Sequence, residues 1–490
     1  MTDSDHATRR ALSGLLWSLA QNWGGRALTF VLFLILARLL SPAEFGLASA
    51  VALVILLIGM VAEFGFGDAI VQRRDLSPRD VDLPFFVSMG ASIALAAVVI
   101  WQSGTIETRL GLPGLGPLIA LASLSAPVLT ASAFQEAHYR RALEYRPLAI
   151  RLLVATTASG VVGIGCAFAG LGALSLVLQA MTLAIVGTIW LWRRPKWLPS
   201  REIDVRSFRR MAGYGIHVVG NRLLDFGITR TIDVLVLTFH GAAALGLYTV
   251  GSRVYQTAMQ LLTTSISDVS LSAVSRIVDD RERTRRAYLR SIATSAVIAS
   301  PAFVAVAALS PEVSLLLFGA KWAGSEAVMT PLMLLGALQC VQFMNGAYFG
   351  ALGRPSYVFH LNLVKCAAVT AALVLGPSAD VGAMTTAFAV AQLAVTPLTY
   401  VLLARLLAIP ALAIPRVLIG PAAACAAAYA AVSWGRPWLA VTDLPLVVRT
   451  VLLGTAFVVA YLAMVAVVAR EPVVWIFELV RGRKARPAGE

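Results

Sequence analysis

The sequence predicts an all-α integral membrane protein of about 14 transmembrane helices, arranged as two parallel six-helix repeats with two further helices at the C-terminal end. Three observations carry this reading. Hydrophobic residues make up 58% of the 490 and charged residues only 13%, with a mean hydropathy of +0.79; that is far too apolar for a water-soluble chain and suits a multi-span one. The apolar residues fall in successive runs of about 20 or more, the length of helix that crosses a bilayer. The basic residues concentrate in every second gap between runs, as the positive-inside rule requires.

The runs can be justified in order. After the polar stretch MTDSDHATRR the first run covers residues 11–37; it is too long for a signal-peptide core and lacks a small-residue cleavage site, so it is expected to remain as the first helix. Runs at 43–66, 82–101, 114–135, 147–168 and 171–192 follow, separated by charged or Gly/Pro breaks. The basic segment RRPKWLPSREIDVRSFRR leads into runs at 211–239, 242–266, 287–309, 327–351, 356–376 and 381–404. A last pair lies at 412–433 and 446–468. The division expected is an N-lobe (1–192), a basic linker (193–210), a C-lobe (211–404), an added helix pair (405–469) and a tail (470–490). The tail begins apolar and Trp-bearing and ends rich in Arg and Lys, which suits an interfacial helix.

With the N-terminus in the cytoplasm, about 29 of the 40 Lys and Arg fall in cytoplasmic segments, about 5 on the far side and about 6 inside runs. Both termini are therefore expected to be cytoplasmic. The net charge of +14 reports topology and contact with anionic lipid rather than nucleic acid. Cys166, Cys340, Cys366 and Cys425 lie inside apolar runs without CxxC spacing, so neither a disulfide framework nor a metal site is expected.

The repeat emerges at an offset of 200 residues. SPAEFGLASA (41–50) lies over GAAALGLYTV (241–250), with Gly46 over Gly246 and Leu47 over Leu247, each in the short outer turn after a long helix with a polar centre. Gln21 and Asn22 then fall over Asn221 and Arg222. A second echo sets Tyr145-Arg146-Pro147, opening the fifth run, against Gly353-Arg354-Pro355, opening the eleventh. Six runs thus recur in the same orientation, which gives parallel halves related by an axis along the membrane normal.

The seventh run, from Gly213 to Phe239, is apolar enough to span yet holds Arg222, Asp225, Arg230 and Asp233. At about 100° per residue these charges and Thr229 form one polar stripe. A charge near the bilayer centre costs roughly 2.5–3.5 kcal/mol on insertion scales, so the stripe must be offset. Two readings are open. Arg222 with Asp225 and Arg230 with Asp233 can form intrahelical ion pairs at spacing i,i+3, or the stripe can line a water-filled cavity on a transport path.

Charges elsewhere favour a cavity. Arg26, Arg222, Asp225, Arg253 and Lys365 lie nearest the middle of their runs. Four positive charges against one negative leave an excess that pairing alone does not neutralise, so an anionic ligand or water must complete it. Arg151 lies within a turn of the inner end of its run and is expected to snorkel. Gln21, Asn22, Gln256, Gln339, Gln342, Asn362 and Gln392 occupy similar levels; such amides bind sugar hydroxyls or hold helices together.

No catalytic constellation is visible: the longest outer segment, about residues 310–326, offers only Glu312, Lys321 and Glu326, where a membrane glycosyltransferase or polymerase needs carboxylates or His on a sizeable loop. No Walker lysine motif is present, so ATP is not the expected energy source.

ARLLSPAEFGLASAVALV (37–54) followed by GFGDAIVQRRDLSPRD (65–80) resembles the polysaccharide transporter family of the multidrug/oligosaccharidyl-lipid/polysaccharide (MOP) flippase superfamily, the Wzx-type O-antigen and exopolysaccharide repeat-unit flippases. The likeness covers about residues 10–405. In these motifs Pro42 and Gly46 shape the outer turn, Gly65 and Gly67 let helix ends approach, and Arg73 and Arg74 anchor the inner loop. The resemblance implies two six-helix lobes around a central cavity in the bacterial inner membrane. That cavity opens alternately to either side and moves an undecaprenyl-diphosphate-linked oligosaccharide for lipopolysaccharide, exopolysaccharide or capsule synthesis.

On that reading the chain is a transporter and not an enzyme, with no catalytic residue and no cofactor. Arg26, Arg222, Arg253 and Lys365 face the diphosphate, and of these Arg26 and Arg253 match, by helix, cavity arginines of lipid-II flippases. Asp225, Asp233 and Arg230 balance charge or couple transport to an H⁺ or Na⁺ gradient, and Gln21, Asn22, Gln256 and Asn362 reach sugars. Membrane lipids, a polysaccharide polymerase and chain-length machinery are the implied partners. The rivals are a membrane polymerase or ligase of glycan units, and a small-molecule or drug exporter of the same superfamily; a cation site in the latter wants an excess of carboxylates.

Overall fold

The computed structural model describes residues 24–73, 76–200, 204–275, 280–376, 379–410 and 412–468. Among them the regular structure is helical, with no strand, and the chain divides into two compact units, Met1–Thr249 and Val250–Glu490. Twelve helices among the described residues are long and apolar enough to cross a membrane, against about 14 expected. The difference has two sources. The expected first run lies partly outside the described residues, and the seventh and eighth runs sit in one continuous stretch, Val205–Leu261.

In the first unit, α1 (Gly25–Leu39) and α2 (Pro42–Glu63) are joined by Leu40 and Ser41. Ser41 opens α2 with a capping box: its backbone N–H donates to the Glu44 carboxylate at 2.7 Å and its hydroxyl accepts from the Glu44 N–H at 3.4 Å. Pro42, with φ preset for a first helical turn, completes the start. The same four-residue device recurs at Ser77, Pro78 and Asp80, where the Ser77 N–H donates to Asp80 at 2.7 Å. Between the two, α2 ends at Phe64 and Gly65, both left-handed, and the chain restarts as α3 (Phe66–Gln72).

Next come α4 (Pro78–Leu110), α5 (Leu115–Ser123), α6 (Ser125–Arg141), α7 (Tyr145–Phe168) and α8 (Ala173–Trp192). Helix α2 packs on α4, α5, α6 and α8, α1 packs on α7, and α7 packs along α8. Small residues make these approaches possible, as at Gly160, where a Cβ would collide with Leu32. Phe66, Ile70, Phe85, Phe134, Trp197 and Met211 form one buried cluster. Arg141 closes this end by donating to the carbonyls of Ile70 at 3.0 Å and Arg73 at 2.7 Å. Arg73 itself reaches the Ser207 hydroxyl at 3.4 Å; Arg74 lies outside the described residues.

Helix α9 (Val205–Ser275) runs through a kink at Gly241, whose φ of 77° no other residue type adopts readily. Just beyond the kink the 200-residue offset becomes geometry. A Cβ on Gly46 would overlap the Ala242 carbonyl, and one on Gly246 would overlap the Pro42 carbonyl. The Thr249 hydroxyl donates to the Ser49 hydroxyl at 2.9 Å. Residues 42 and 242, 46 and 246, and 49 and 249 exchange roles across the seam, which is the reciprocity of a local two-fold axis.

The second unit continues from Val250 of α9 into α10 (Arg281–Ile298), α11 (Ser300–Ala308), α12 (Ser310–Leu317), α13 (Ser325–Gln342) and α14 (Asn345–Ala351). It ends with α15 (Pro355–Leu375), α16 (Val381–Ala394), α17 (Thr396–Leu406), α18 (Ala413–Ala440) and α19 (Leu446–Val468). The last two, expected as an addition without counterpart, pack on each other, and α18 lies on α10 and α11. Arg436 of α18 holds the buried Glu312 carboxylate at 3.0 Å. The amides here join helices: Gln339 accepts from the Tyr255 hydroxyl and donates to Gln392 at 2.9 Å, and Gln342 donates to Thr396 at 2.9 Å. The four cysteines are free thiols, two of them buried.

Candidate functional site

The polar stripe of α9 borders a cavity of about 1110 Å³ within the first unit. Its apolar wall comes from one face of α2, including Phe45, Ala48, Ala52 and Ile55, residues spaced three or four apart as a helix face demands. The ionisable groups come from four helices: Glu63 of α2, Glu136 of α6, Arg151 of α7, and Arg222, Asp225 and Arg230 of α9.

Each half of the stripe follows a different one of the two sequence readings. Arg230 Nη1 binds Asp233 at 3.2 Å, the expected i,i+3 pair, with Asp233 buried and outside the cavity lining. Arg222 does not pair with Asp225. It donates through Nη1 to Glu63 at 2.9 Å and through Nη2 to Asp68 at 2.8 Å, two carboxylates that flank the α2–α3 turn. The fork of the guanidinium is suited to holding two oxygens side by side. Asp225, freed from the expected pair, is exposed on the cavity wall, where the Thr229 hydroxyl donates to its backbone carbonyl at 2.8 Å.

The approach that allows this clasp is steric. A Cβ on Gly215 would overlap the Phe64 carbonyl, and one on Gly67 would displace the Glu63 carboxylate. Gly67, read from sequence together with Gly65 as letting helix ends approach, sets the position of an acidic group. Arg151, expected to snorkel, binds Glu136 at 2.6 Å, and Arg140 binds the other oxygen of the same carboxylate. The lining charges therefore balance, three carboxylates against three guanidinium groups. The expected cationic excess is not a property of this cavity.

The remaining expected site residues are placed elsewhere. Arg26 is half-buried on α1 and outside the lining. Arg253 and Gln256 on α9, and Asn362 and Lys365 on α15, are half-buried in the second unit. Gln21 and Asn22 lie outside the described residues. Glu63, Asp68 and Glu136 escaped the sequence reading. The available signal was the isolation of Glu63 and Asp68 in the otherwise apolar stretch MVAEFGFGDAIV.

A multi-pass helical membrane protein with a charged cavity beside a kinked helix is the class that the fold and site define. The solved structures agree on that fold. The lipid II flippase MurJ in an inward closed conformation superposes with a TM-score of 0.71 at 13% identity, over 94% of this chain and 100% of that one. An inward-facing multidrug resistance transporter of the MATE family, in the MOP superfamily, gives 0.56 at 17% identity, over 78% of this chain and 95% of that one. The chain belongs to the polysaccharide biosynthesis protein family, whose profile matches residues 35–327. Among relatives, the succinoglycan biosynthesis transport protein ExoT of Rhizobium meliloti (strain 1021) is 23% identical over 362 residues, 74% of this chain and 73% of its own. The lipopolysaccharide biosynthesis protein WzxC of Escherichia coli (strain K12) is 24% identical over 394 residues, 80% of each chain.

Proposed function

We propose that this chain is a flippase that carries a lipid-linked oligosaccharide, an undecaprenyl-diphosphate repeat unit, across the bacterial inner membrane by alternating access, with both termini in the cytoplasm. The observation that carries the reading is the Arg222 fork. Two carboxylate oxygens now occupy its terminal nitrogens, and a diphosphate presents oxygens to the same fork. Substrate arrival then exchanges one set of anions for another at the guanidinium, which keeps an anionic partner throughout, while the released carboxylates turn to water. The partial exposure of the three side chains, 36% for Arg222, 23% for Glu63 and 41% for Asp68, supports the exchange, because water reaches all three. The apolar wall of α2 suits a lipid-borne cargo.

Asp225, on the cavity wall and outside the clasp, is the group we assign to coupling with an H⁺ or Na⁺ gradient. A polysaccharide polymerase and chain-length machinery would receive the product on the far side. The family membership and the names of ExoT and WzxC support this reading over a glycan polymerase or ligase.

The test is transbilayer movement in vesicles containing the purified full chain and a lipid-linked oligosaccharide with a fluorescent tag. A membrane-impermeant quencher added outside should reach the inner-leaflet pool only when the protein is present, and Arg222→Ala should remove that access. Protein-independent quenching with intact, folded protein defeats the proposal. Uptake of a small organic cation in the same vesicles would instead assign the chain to drug export.

A further inference from the structure

A second cavity, of about 760 Å³, lies where the segment leaving α8 meets the start of α7. It is lined by Arg146, Arg193, Arg194 and Lys196, with Trp190 and Ile150 as apolar walls. Against these four cations stands one lining carboxylate, Glu144, which Lys196 engages at 2.5 Å. Helix α7, 24 residues long, begins here with no side-chain cap on its first turn, so its positive dipole end adds to the field. The cavity sits at the end of the bundle that bears the basic segments, the cytoplasmic end by the positive-inside rule.

The feature that charge placement alone leaves unexplained is rigidity. Basic residues that merely orient a membrane protein work equally well on a loose loop, since the rule counts charge and not geometry. This segment is instead pinned by buried side chains. Tyr139 donates to the Arg194 carbonyl at 2.6 Å, and the Lys196 N–H donates to Gln135 at 3.1 Å. Gln135 in turn donates to the Trp197 carbonyl at 2.7 Å. The buried Trp197 ring donates to the fully buried Asp82 at 3.1 Å, and Asp82 also accepts from the Ser200 N–H at 3.0 Å. Arg193 is laid over the Trp190 ring at 5.9 Å. Holding like charges together against their repulsion has a physical use when an anion joins them.

We infer that this cavity is a binding site for the phosphate headgroup of an anionic phospholipid of the inner leaflet. The arginines take the phosphate oxygens, while Trp190, Ile150 and Pro147 face the glycerol and the first carbons of the acyl chains. A tryptophan at the headgroup level is in its preferred place. Basic pockets between helices on the cytoplasmic side have the chemistry for such headgroups. The site does not depend on the transport reading of the α9 cavity.

The experiment is native mass spectrometry of the purified full chain titrated with phosphatidylglycerol, with phosphatidylcholine and inorganic phosphate as separate arms. The triple variant R146A/R193A/R194A keeps every pinning side chain and should bind phosphatidylglycerol about tenfold more weakly, the equivalent of one charge-assisted hydrogen bond. R206A/R209A/R210A removes the same charge from exposed positions on the first turns of α9 and should change binding less than about twofold, well under that equivalent. The charge-preserving R193K/R194K should fall between, because lysine cannot bind bidentately, and it serves if the triple variant does not fold. Equal losses in both triple variants, undiminished binding in R193K/R194K and the site triple alike, or inorganic phosphate binding as tightly as the lipid would each overturn the assignment.

Discussion

At one end of α2, Gly46 and Gly246 bring two backbones into contact with no charge involved, each glycine facing a carbonyl of the other segment. At the other end, about 26 Å away by helix rise over 17 residues, Arg222 reaches across to Glu63 and Asp68. The two seams join the same pair of helices by opposite means. Steric contact through glycine is all-or-none: the backbones either meet or they do not. A charged clasp is exchangeable, because another anion can replace either carboxylate. In an alternating-access cycle the first suits a gate that shuts tightly and the second a gate that senses cargo.

The comparison breaks most severely at the glycine seam. Gly46→Val places a side chain where the Ala242 carbonyl stands, and backbone cannot yield as a side-chain tip does. Overpacking of this kind costs about 1–3 kcal/mol, enough to hold the seam apart in most molecules. Export should be lost while the protein still inserts. In a cysteine-free background carrying Ser49→Cys, an impermeant thiol reagent should label the Gly46→Val variant quickly and the parent slowly. Equal labelling with normal export would mean that the seam is not a gate.

Next in size is the clasp. Arg222→Ala strands Glu63 and Asp68 and should abolish export with a modest loss of stability, about 0.5–1 kcal/mol given the partial exposure of all three groups. Double-mutant cycles sharpen the result. Arg222 should couple to Glu63→Gln and to Asp68→Asn but add independently with Asp225→Asn. A strong coupling to Asp225 would restore the intrahelical pair that the sequence suggested.

How much of this was legible beforehand follows from the reach of each signal. The spans, the basic segments and the 200-residue repeat are written in local pattern, and the repeat gave Gly46 and Gly246 as equivalents; their reciprocal contact is a symmetric consequence of that equivalence. The stripe on α9 was legible as a helix face. Its partners were not, since Arg222 is 159 residues from Glu63 and 154 from Asp68. Spacing along a helix offers only neighbours at i,i+3, so reading Arg222 against Asp225 was the nearest choice available. It succeeded for Arg230 and Asp233, where no outside carboxylate among the described residues pairs with Arg230. Arg151 shows the same limit in reverse: distance from a run's end suggested snorkelling, while Glu136 on another helix draws it to the cavity.

A smaller effect tests how the clasp is positioned. Gly67→Ala adds one methyl group against the Glu63 carboxylate, which sits on a flexible side chain and can swing aside. Folding should be little changed although Gly67 is buried, because the added methyl group meets only that side-chain tip and alanine favours the helix over glycine by roughly 1 kcal/mol. Export should drop several-fold, because Glu63 no longer meets the Arg222 fork squarely. Adding Glu63→Gln to Gly67→Ala should cause little further loss if both act through the same contact.

The smallest effect is expected at the hydrogen bond that lies within the glycine seam. The Thr249 hydroxyl donates to Ser49, whose own hydroxyl donates to the Phe45 carbonyl at 2.8 Å within the same helix. Thr249→Val keeps the shape and removes the bond, at about 0.5–1.5 kcal/mol for a neutral pair; Ser49→Ala should match it. Export should stay within about twofold of the parent, below the tenfold that 1.4 kcal/mol represents when it falls wholly on one state, because backbone contact at Gly46 and Gly246 still closes the seam. The double variant should be no worse than either single one, since one bond can be lost only once. If instead Thr249→Val abolishes export as Gly46→Val does, the seam is held by its hydroxyl pair, and the contrast between a steric gate and a polar one must be drawn within the seam itself.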